Sequence, residues 1–413
     1  MSVPLLRPFA ALRPASDRAA EVAAPPYDVL SSEEARDQAE GKPWSFLHIS
    51  KAEIDLPDGT DPYDPRVYAM AAENLGKMIA AGVLRRDAKP CYSVYRLTMG
   101  EHVQTGLVGG GSVAAHAGNR IRKHEFTRPD KEDDRVRQID VTNAQTGPVL
   151  LAHRQHPDLA EATAAAVATA PAYAVTAADG IRHEIWVIED DATIARITAA
   201  FESMPAIDHA DGHHRSAAAS RVAGMRRQAT PDARGDESYE SFLVVTFPIN
   251  EMKIFDYNRV VRDLNGLSRE AFLSALDKDF TVEAASGQVR PTAPRQIGLY
   301  LPGQWYRLTV KNAAPADPVA RLDVSLLTDR LLDPILGIKD LRKDKRVDFV
   351  GGKRGLGELE KRVDSGEMAA AFAMFATTME DLVAVADAGQ VMPPKSTWFE
   401  PKLADGLVSY PLG

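Results

Sequence analysis

Ala210-Asp211-Gly212-His213-His214-Arg215, followed at once by Ser216-Ala217-Ala218-Ala219, is the stretch on which the reading of this chain turns. A polar cluster that stops abruptly at an alanine-rich run reads as a loop-to-helix junction. Asp211 is a good helix N-cap and Gly212 permits a tight approach of the backbone. The first N–H groups of such a helix have no partner inside it. Those donors, the helix dipole and Arg215 then face one small volume, which favours an anion such as phosphate or carboxylate. His213 and His214 stand in the first turn, where the dipole disfavours imidazolium, so they serve better as neutral bases, donors or ligands. An ordinary junction carries the same Asp-Gly pair. The histidine density favours a site, because His209, His213 and His214 fall within six residues of a chain that holds ten.

On the upstream side, Met204 to His209 leads strand-like into the cluster. Downstream, the helix is expected to run to about Gln228, with Arg221, Arg226 and Arg227 towards its negative end. Three further polar segments share the character of the first. Pro25-Pro26-Tyr27-Asp28 fixes an extended entry that holds Tyr27 and Asp28 rigidly, either as pocket lining or as a turn into a helix at Ser31. Arg122 to Arg135 is dense in both signs of charge, which is also how a solvated loop and helix start reads. Within it His124-Glu125 follows an apparent strand end and can divide base and orienting roles. Arg122, Lys123 and Arg135, the last on the following helix, can bind anionic oxygens. The tail Met392-Pro393-Pro394-Lys395-Ser396-Thr397-Trp398-Phe399-Glu400-Pro401-Lys402 is held stiff by three prolines. It reads as pocket lining, or as two aromatics pinning the C-terminus to the core.

The architecture expected is α+β, with a mixed β-sheet core, flanking helices and the anion box at a strand-to-helix junction. Residues 91–99 and 103–113 alternate as a hairpin around Gly100, and glycines 109 to 111 suggest close packing or a bulge. Phe46 to Ile49 reads as a strand, and Asp61 to Val83 carries a helical pattern closed at Gly82. Ser241 to Ile249 is the strongest buried-strand signal, and Ile254 to Val261 reads as one further strand. The division expected is a main α+β domain over 1–264, a small α+β insertion over 265–320, and a segment over 321–413 that returns to the main core. Arg346 to Lys353 is a strand and glycine turn without the GxxxxGK[ST] pattern of a P-loop.

With 413 residues, 45% apolar and 26% charged, the chain can bury a large core and reads as globular. A net charge of -9 without a basic tract argues against duplex nucleic acid as the main partner. One cysteine, Cys91, excludes an internal disulfide and a Cys-rich zinc site, and fits a reducing, cytoplasmic setting. Arginine and proline interrupt the first residues, so no signal peptide is read there. The most apolar window, near Met368 to Ala376, is too short to span a bilayer, so no membrane partner is expected.

Pro25-Pro26-Tyr27-Asp28-Val29, His124-Glu125, Asp211-Gly212-His213-His214-Arg215, Val350-Gly351-Gly352 and Met392-Pro393-Pro394-Lys395-Ser396-Thr397 occur in this order and spacing. Together they resemble the bacterial family known as domain of unknown function 1015, over nearly the whole chain. The Asp-Gly-His-His-Arg element also resembles the phosphate-binding box of the ParB/sulfiredoxin-like superfamily, some members of which are free-serine kinases. The resemblance implies a nucleotide or phosphate site with Gly212, His213, His214 and Arg215 at the phosphates. Sulfiredoxin-like proteins use a cysteine in this box and this chain has none there, so thiol redox chemistry is not carried over. Where the family commonly has a His-Arg pair this chain has Asn258-Arg259, so no histidine role is carried over there.

The function expected first is a nucleotide- or phosphate-binding enzyme of small-molecule metabolism, a phosphotransferase or phosphohydrolase acting on serine or phosphoserine. Phosphoryl transfer needs positioned cations and a base near the acceptor hydroxyl. Glu125, Asp211, His213 and His214 are the catalytic candidates. Gly212, Arg215, Lys395, Ser396 and Thr397 are the candidates for holding the cofactor, ATP or ADP with Mg²⁺. Tyr27, Asp28, His124, Arg135 and Lys402 are the candidates for substrate contact. No residue is assigned as a resident metal ligand, although Asp28 or Glu125 could offer oxygen to Mg²⁺. The expected partner is a small anionic molecule, with a homo-oligomer left open. A second reading is a non-catalytic nucleotide sensor. A third is a metal-dependent hydrolase using Asp208, His209, Asp211, His213 and His214, weakened because Gly212 interrupts the His209/His213 helical spacing.

Overall fold

Alternating apolar residues on both sides of Gly100 fold into a hairpin whose turn glycine has φ 59°. In the computed structural model, which describes residues 3–125 and 127–413, that hairpin lies within a nine-stranded sheet. Its strands in chain order are β1 (Leu6–Arg7), β2 (Tyr92–Met99), β3 (His102–Ser112), β4 (Ile121–Arg122), β5 (Val149–His153), β6 (Tyr173–Thr176), β7 (Arg182–Ile188), β8 (Ile207–Asp211) and β9 (Ser241–Pro248). Their spatial order is β4-β8-β5-β9-β3-β2-β7-β6, with β1 added to β3 at Gly110 and Gly111. The β4–β8 and β5–β9 pairs are parallel and the others antiparallel. The mixed sheet flanked by helices is the α+β architecture that the apolar pattern predicts.

The chain divides into two compact units. The first comprises residues 1–123, 127–252 and 401–413, and the second comprises 124–126 and 253–400. The first contains the large sheet and the helices α1 (Pro65–Ala80), α2 (Pro129–Thr142) and α3 (His213–Ala229). Glycines make β3 thin. A Cβ at Gly106 would come within 2.6 Å of the Thr246 carbonyl, and one at Gly109 within 2.9 Å of Leu6. Ser216, Ala219, Val222 and Ala223 form much of the buried face of α3, and such small residues let a helix approach its neighbours closely. Tyr92, Tyr95, Phe242 and Phe247 are fully buried in the core, each contributing about 1.5–3 kcal/mol through the apolar surface removed from water.

The second unit is built on a six-stranded antiparallel sheet: β10 (Tyr257–Val261), β11 (Phe280–Ala285), β12 (Gln296–Leu301), β13 (Gln304–Val310), β14 (Val347–Gly351) and β15 (Ala370–Met374). Their order is β11-β13-β12-β15-β10-β14. Leu356, Leu359 and Val363 of α4 (Leu356–Asp364) pack with Val260, Trp305, Ala371 and Ala373. A separate ribbon pairs Lys253–Phe255 with Trp398–Glu400.

Two local expectations are corrected. Phe46 to Ile49 is not a strand, since Leu47–Ser50 is a helical turn. Four apolar-rich residues do not fix a period, and here Asn74 caps the His48 carbonyl at 2.8 Å while the His48 ring meets Asp55. Residues 254–261 are two strands. Asp256 breaks the run by turning its carboxylate to Asn258 and Arg290 and its carbonyl to the Gly352 N–H. Among the described residues no helix is long and apolar enough to cross a membrane.

Burial fixes several histidines as neutral rings. Loss of hydration pulls His116 down to about 4, with Lys123 adding to it, and pulls His153 to about 3 and His183 to about 4. These rings take up protons on unfolding, so their contribution is complete above the unfolded value near 6.5 and is lost as pH falls. Burial raises Asp323 to about 6 and Asp405 to about 7, and these carboxyls act in the opposite sense. Three groups against two leave at most about one proton taken up, or up to about 1.4 kcal/mol of stability lost per pH unit, which His48, raised by Asp55, and Asp329, raised by burial, reduce. Urea midpoints should therefore fall steadily from about pH 6 to about pH 4.5. A constant or rising midpoint would contradict this balance.

Candidate anion-binding site

The site begins with an irregularity in β8. Asp208 and His209 pair with Ala152 and Leu151, but Asp211 pairs with Leu150, so Ala210 is an extra residue in the strand. A bulge of this kind re-aims the side chains that follow it. The next residue, Gly212, has φ 91° and is itself the N-cap of α3. The cap expected of Asp211 is corrected accordingly: Asp211 ends the strand, and its Oδ1 accepts from the Gly212 N–H at 2.8 Å. The left-handed residue turns the chain into α3 within one step, and Gly212 O accepts from the N–H groups of Arg215 and Ser216.

That turn directs Arg215 against the loop before β5. Its Nη1 donates to the Pro148 carbonyl at 2.7 Å and its Nη2 meets Asp28 at 3.3 Å. Gly147 leaves it room, since a Cβ there would lie 3.3 Å from Arg215 Nε. The Tyr27 ring stands between two guanidinium groups, 3.9 Å from Arg135 and 5.3 Å from Arg215. Cations over an aromatic face are favourable, more so when desolvated. Arg135 on α2 is oriented by Asp134 at 2.7 Å, and Tyr68 donates to the other oxygen of Asp134 at 2.8 Å. Burial pushes the Tyr27 hydroxyl upward, against the pull of Arg135, so the ring stays neutral.

Two carboxylates border this cation pair, in opposite states. Loss of hydration works against the charge of Asp211, but Lys402 at 2.7 Å, Arg215 and the Gly212 N–H hold its carboxyl far below the usual range. It is therefore a weak proton acceptor. Asp405 is 1% exposed and its Oδ1 has no hydrogen bond among the described residues. Burial raises it to about 7, opposed by Arg215 and reinforced by Asp28, which suits proton transfer near neutrality. Two hollows flank Arg215, one lined by Tyr27, Arg135, Gln138, Gln145 and Asp405, the other by Asp28, Pro148, Asp211 and Lys402. Each has about 20 Å³ of free space, room for about one water. Neither hollow as it stands has room for a phosphate group.

The first unit thus brings together Tyr27, Asp28, Arg135, Asp211, Gly212, Arg215 and Lys402. His213 is buried and stacks on His209 with ring centres 3.9 Å apart. His214 Nε2 accepts from the Arg128 N–H at 3.0 Å, so that nitrogen carries no proton. Among the described residues no three His, Cys, Asp or Glu side chains are arranged to hold a metal, and Asp208, His209, Asp211, His213 and His214 do not form a ligand set.

The other named residues belong to the second unit. The His124 carbonyl accepts from Met392 N at 2.9 Å, and Glu125 lines an open groove of about 640 Å³ with Met392, Pro393 and Pro394. Lys395 has φ 60° and reaches over the Tyr257 ring. Ser396 Oγ donates to the Pro393 carbonyl at 2.7 Å, so that hydroxyl stiffens its own loop, while Thr397 is half-buried. Asp405, Gln138 and Gln145 escaped sequence reasoning. Asp405 carried one weak signal, the turn-forming pair Asp405-Gly406, with Gly406 at φ 87°.

The family model described as "Protein of unknown function (DUF1015)" matches residues 6–325, and the chain belongs to that family. No curated protein matches it. Similar solved structures include SbnI with a C-terminal truncation from Staphylococcus aureus, at 11% identity and a TM-score of 0.39 over 72% of this chain and 85% of that one. A conserved hypothetical protein from Pyrococcus furiosus shares 14% identity at 0.34, covering 70% and 90%. A free serine kinase in complex with AMP shares 13% at 0.33, covering 68% and 84%. Likeness of this order decides nothing about the chemistry of this chain.

The junction makes one requirement testable. A Gly212→Ala substitution forces a Cβ into a left-handed backbone and should cost about 1–2 kcal/mol. Urea unfolding measures that cost, and an unchanged midpoint would mean that the turn does not need glycine.

Proposed function

We propose that this DUF1015 member is a nucleotide- or phosphate-binding enzyme of small-molecule metabolism, a phosphotransferase that uses ATP or ADP with Mg²⁺ on serine or phosphoserine. The observation that carries the reading is the convergence of Arg215, Arg135 and Lys402 on the Tyr27–Asp28 turn, at a strand–glycine–helix junction. In this reading the Asp28 carboxylate occupies the place on Arg215 that a phosphate oxygen takes when ligand binds. Asp28 is half-exposed and free to swing outward, where it could offer one oxygen to Mg²⁺. Arg215 and Lys402 then neutralise charge on the transferred group, as phosphoryl transfer requires. Asp405, balanced near neutrality, accepts or returns the proton of the acceptor hydroxyl. Serine as the acceptor is the finest part of the reading and rests on the resemblance of the Asp-Gly-His-His-Arg element.

A second reading, a nucleotide sensor without turnover, is favoured by the narrowness of the two hollows. A ligand that must push Asp28 off Arg215 also moves the turn that carries Tyr27, and a binding-driven shift of one segment is how a sensor reports.

Calorimetric titration with ATP, ADP, AMP and inorganic phosphate, with and without Mg²⁺, tests binding, and product assays with serine and phosphoserine on the same sample test turnover. Arg215→Met should weaken nucleotide or phosphate binding about 10- to 100-fold, the worth of charged hydrogen bonds. Asp28→Asn should tighten binding in the absence of Mg²⁺, because the competing carboxylate charge is gone. Equal affinity of wild type and Arg215→Met would remove the site. Binding without any turnover would leave the sensor.

A further inference from the structure

The second unit buries a guanidinium that no carboxylate among the described residues balances. Arg259, the middle residue of β10, is 0% exposed. Its Nη1 donates to the Tyr257 carbonyl and its Nη2 to the Lys395 carbonyl at 2.9 Å, while Nε has no hydrogen-bond partner among the described residues. Burial draws it down to about 10, against the opposing pull of Tyr257. A buried cation is expensive unless paired, and an apolar residue of the same volume would serve packing better. The nearest acid along the strand, Asp256, is committed to Arg290 and Asn258.

What surrounds Arg259 is aromatic, and the Lys395 ammonium stands over one of the rings beyond it. Phe349 and Phe372 lie directly across from it on the neighbouring strands, and its guanidinium sits 5.4 Å from the Phe349 ring centre. Two residues back, Tyr257 faces Gly351, whose missing side chain makes room for the Trp398 indole, 2.8 Å from where a Cβ would stand. The Lys395 ammonium lies 5.7 Å from the Tyr257 ring centre. The loop that carries Lys395 is pinned on either side of it by the Ser396 hydroxyl and by Thr377, which donates to the Ser396 carbonyl at 2.8 Å. Lys395 itself holds a left-handed backbone that non-glycine residues seldom adopt.

We propose that Arg259 and Lys395 form an oxyanion-binding site in the second unit, which takes a phosphate or carboxylate group of a small molecule. The edge of the guanidinium formed by Nε and Nη2 is the edge that grips two oxygens side by side. At present it holds one backbone carbonyl, which leaves Nε unused. An oxyanion supplies the absent counter-charge, replaces the Lys395 carbonyl and releases Lys395 from its left-handed backbone. The proposal stands apart from the reading of Arg215, since it uses other residues in another unit.

The test is thermal melting of the full chain in sodium chloride, sodium acetate and sodium phosphate at equal ionic strength. Wild type, Arg259→Met, Arg259→Lys, Lys395→Gln and Arg215→Met are compared, the first three variants also combined with Arg215→Met. With millimolar affinity, about 10 mM anion should raise Tm by about 3 °C. A rise in phosphate alone identifies a phosphate site, and a rise in acetate as well identifies a general carboxylate and phosphate site. In the Arg215→Met background, which removes the site proposed in the first unit, the rise should persist, shrink on adding Lys395→Gln, survive in part on adding Arg259→Lys and vanish on adding Arg259→Met. Arg259→Met should also melt at or above wild type in chloride, because its unbalanced charge is gone. The proposal is overturned if Arg259→Met melts lower in chloride and its combination with Arg215→Met keeps the phosphate rise, which would make Arg259 a strut between two carbonyls. Should that variant fail to fold, an undiminished rise on adding Lys395→Gln, at an exposed position, to Arg215→Met overturns it equally. Loss of the whole rise in Arg215→Met assigns the anion to the first unit and also overturns it.

Discussion

One backbone angle governs the first unit's site. With residue 212 at φ 91°, the chain passes from the bulged end of β8 into α3 without an intervening loop. Arg215 then projects from the first turn towards Pro148 and Asp28, while Asp211 remains on the strand side for Lys402. If the turn were longer, the arginine would leave its carbonyl and Tyr27 would lose one of its two flanking cations. The small side chains of α3 serve the same end by letting the helix lie close enough for its first turn to reach the β5 loop.

The cations of the two units are balanced in different ways. Arg215 has Asp28 beside it, Asp405 near it and Asp211 within electrostatic reach, so its charge is answered several times over. Burial, reinforced by Asp28, raises Asp405 to about 7 against the pull of Arg215, while Asp211, tied to Lys402, is held low. Among the described residues Arg259 is answered by two carbonyl dipoles and an aromatic face. The first cation is closed over its own carboxylates, and the second is held by dipoles and rings.

Much of this was legible in the sequence where local chemistry decides local structure. The apolar run at 241–249, the hairpin around Gly100 and the alanine-rich helix after Arg215 each announce themselves within a few residues. The box itself was readable because glycine, charge and a helix start coincide there. Phe46 to Ile49 was not, because so short a run carries no period and distant side chains decide it. The cap was assigned to Asp211 on propensity, whereas the bulge at Ala210 moved the boundary by one residue, a tertiary effect. Asp405 was illegible for a deeper reason. Its chemistry comes from burial beside Arg215, and nothing near it in sequence signals that neighbour.

The last thirteen residues rejoin the first unit after the chain has traced almost the whole of the second. They bring Lys402 and Asp405, and they are fastened by backbone bridges from Asp405 to Ala24 and from Ser409 to Leu12. Residues near Leu12 and Ala24 are therefore neighbours of Ser409 and Asp405 in the finished sheet unit. On a ribosome, a nascent chain that already displays Arg215 still lacks the lysine and the acid that complete its surroundings. Contacts of such wide separation form slowly. The surroundings of Arg215 are therefore completed only after residues 401–413 have been made.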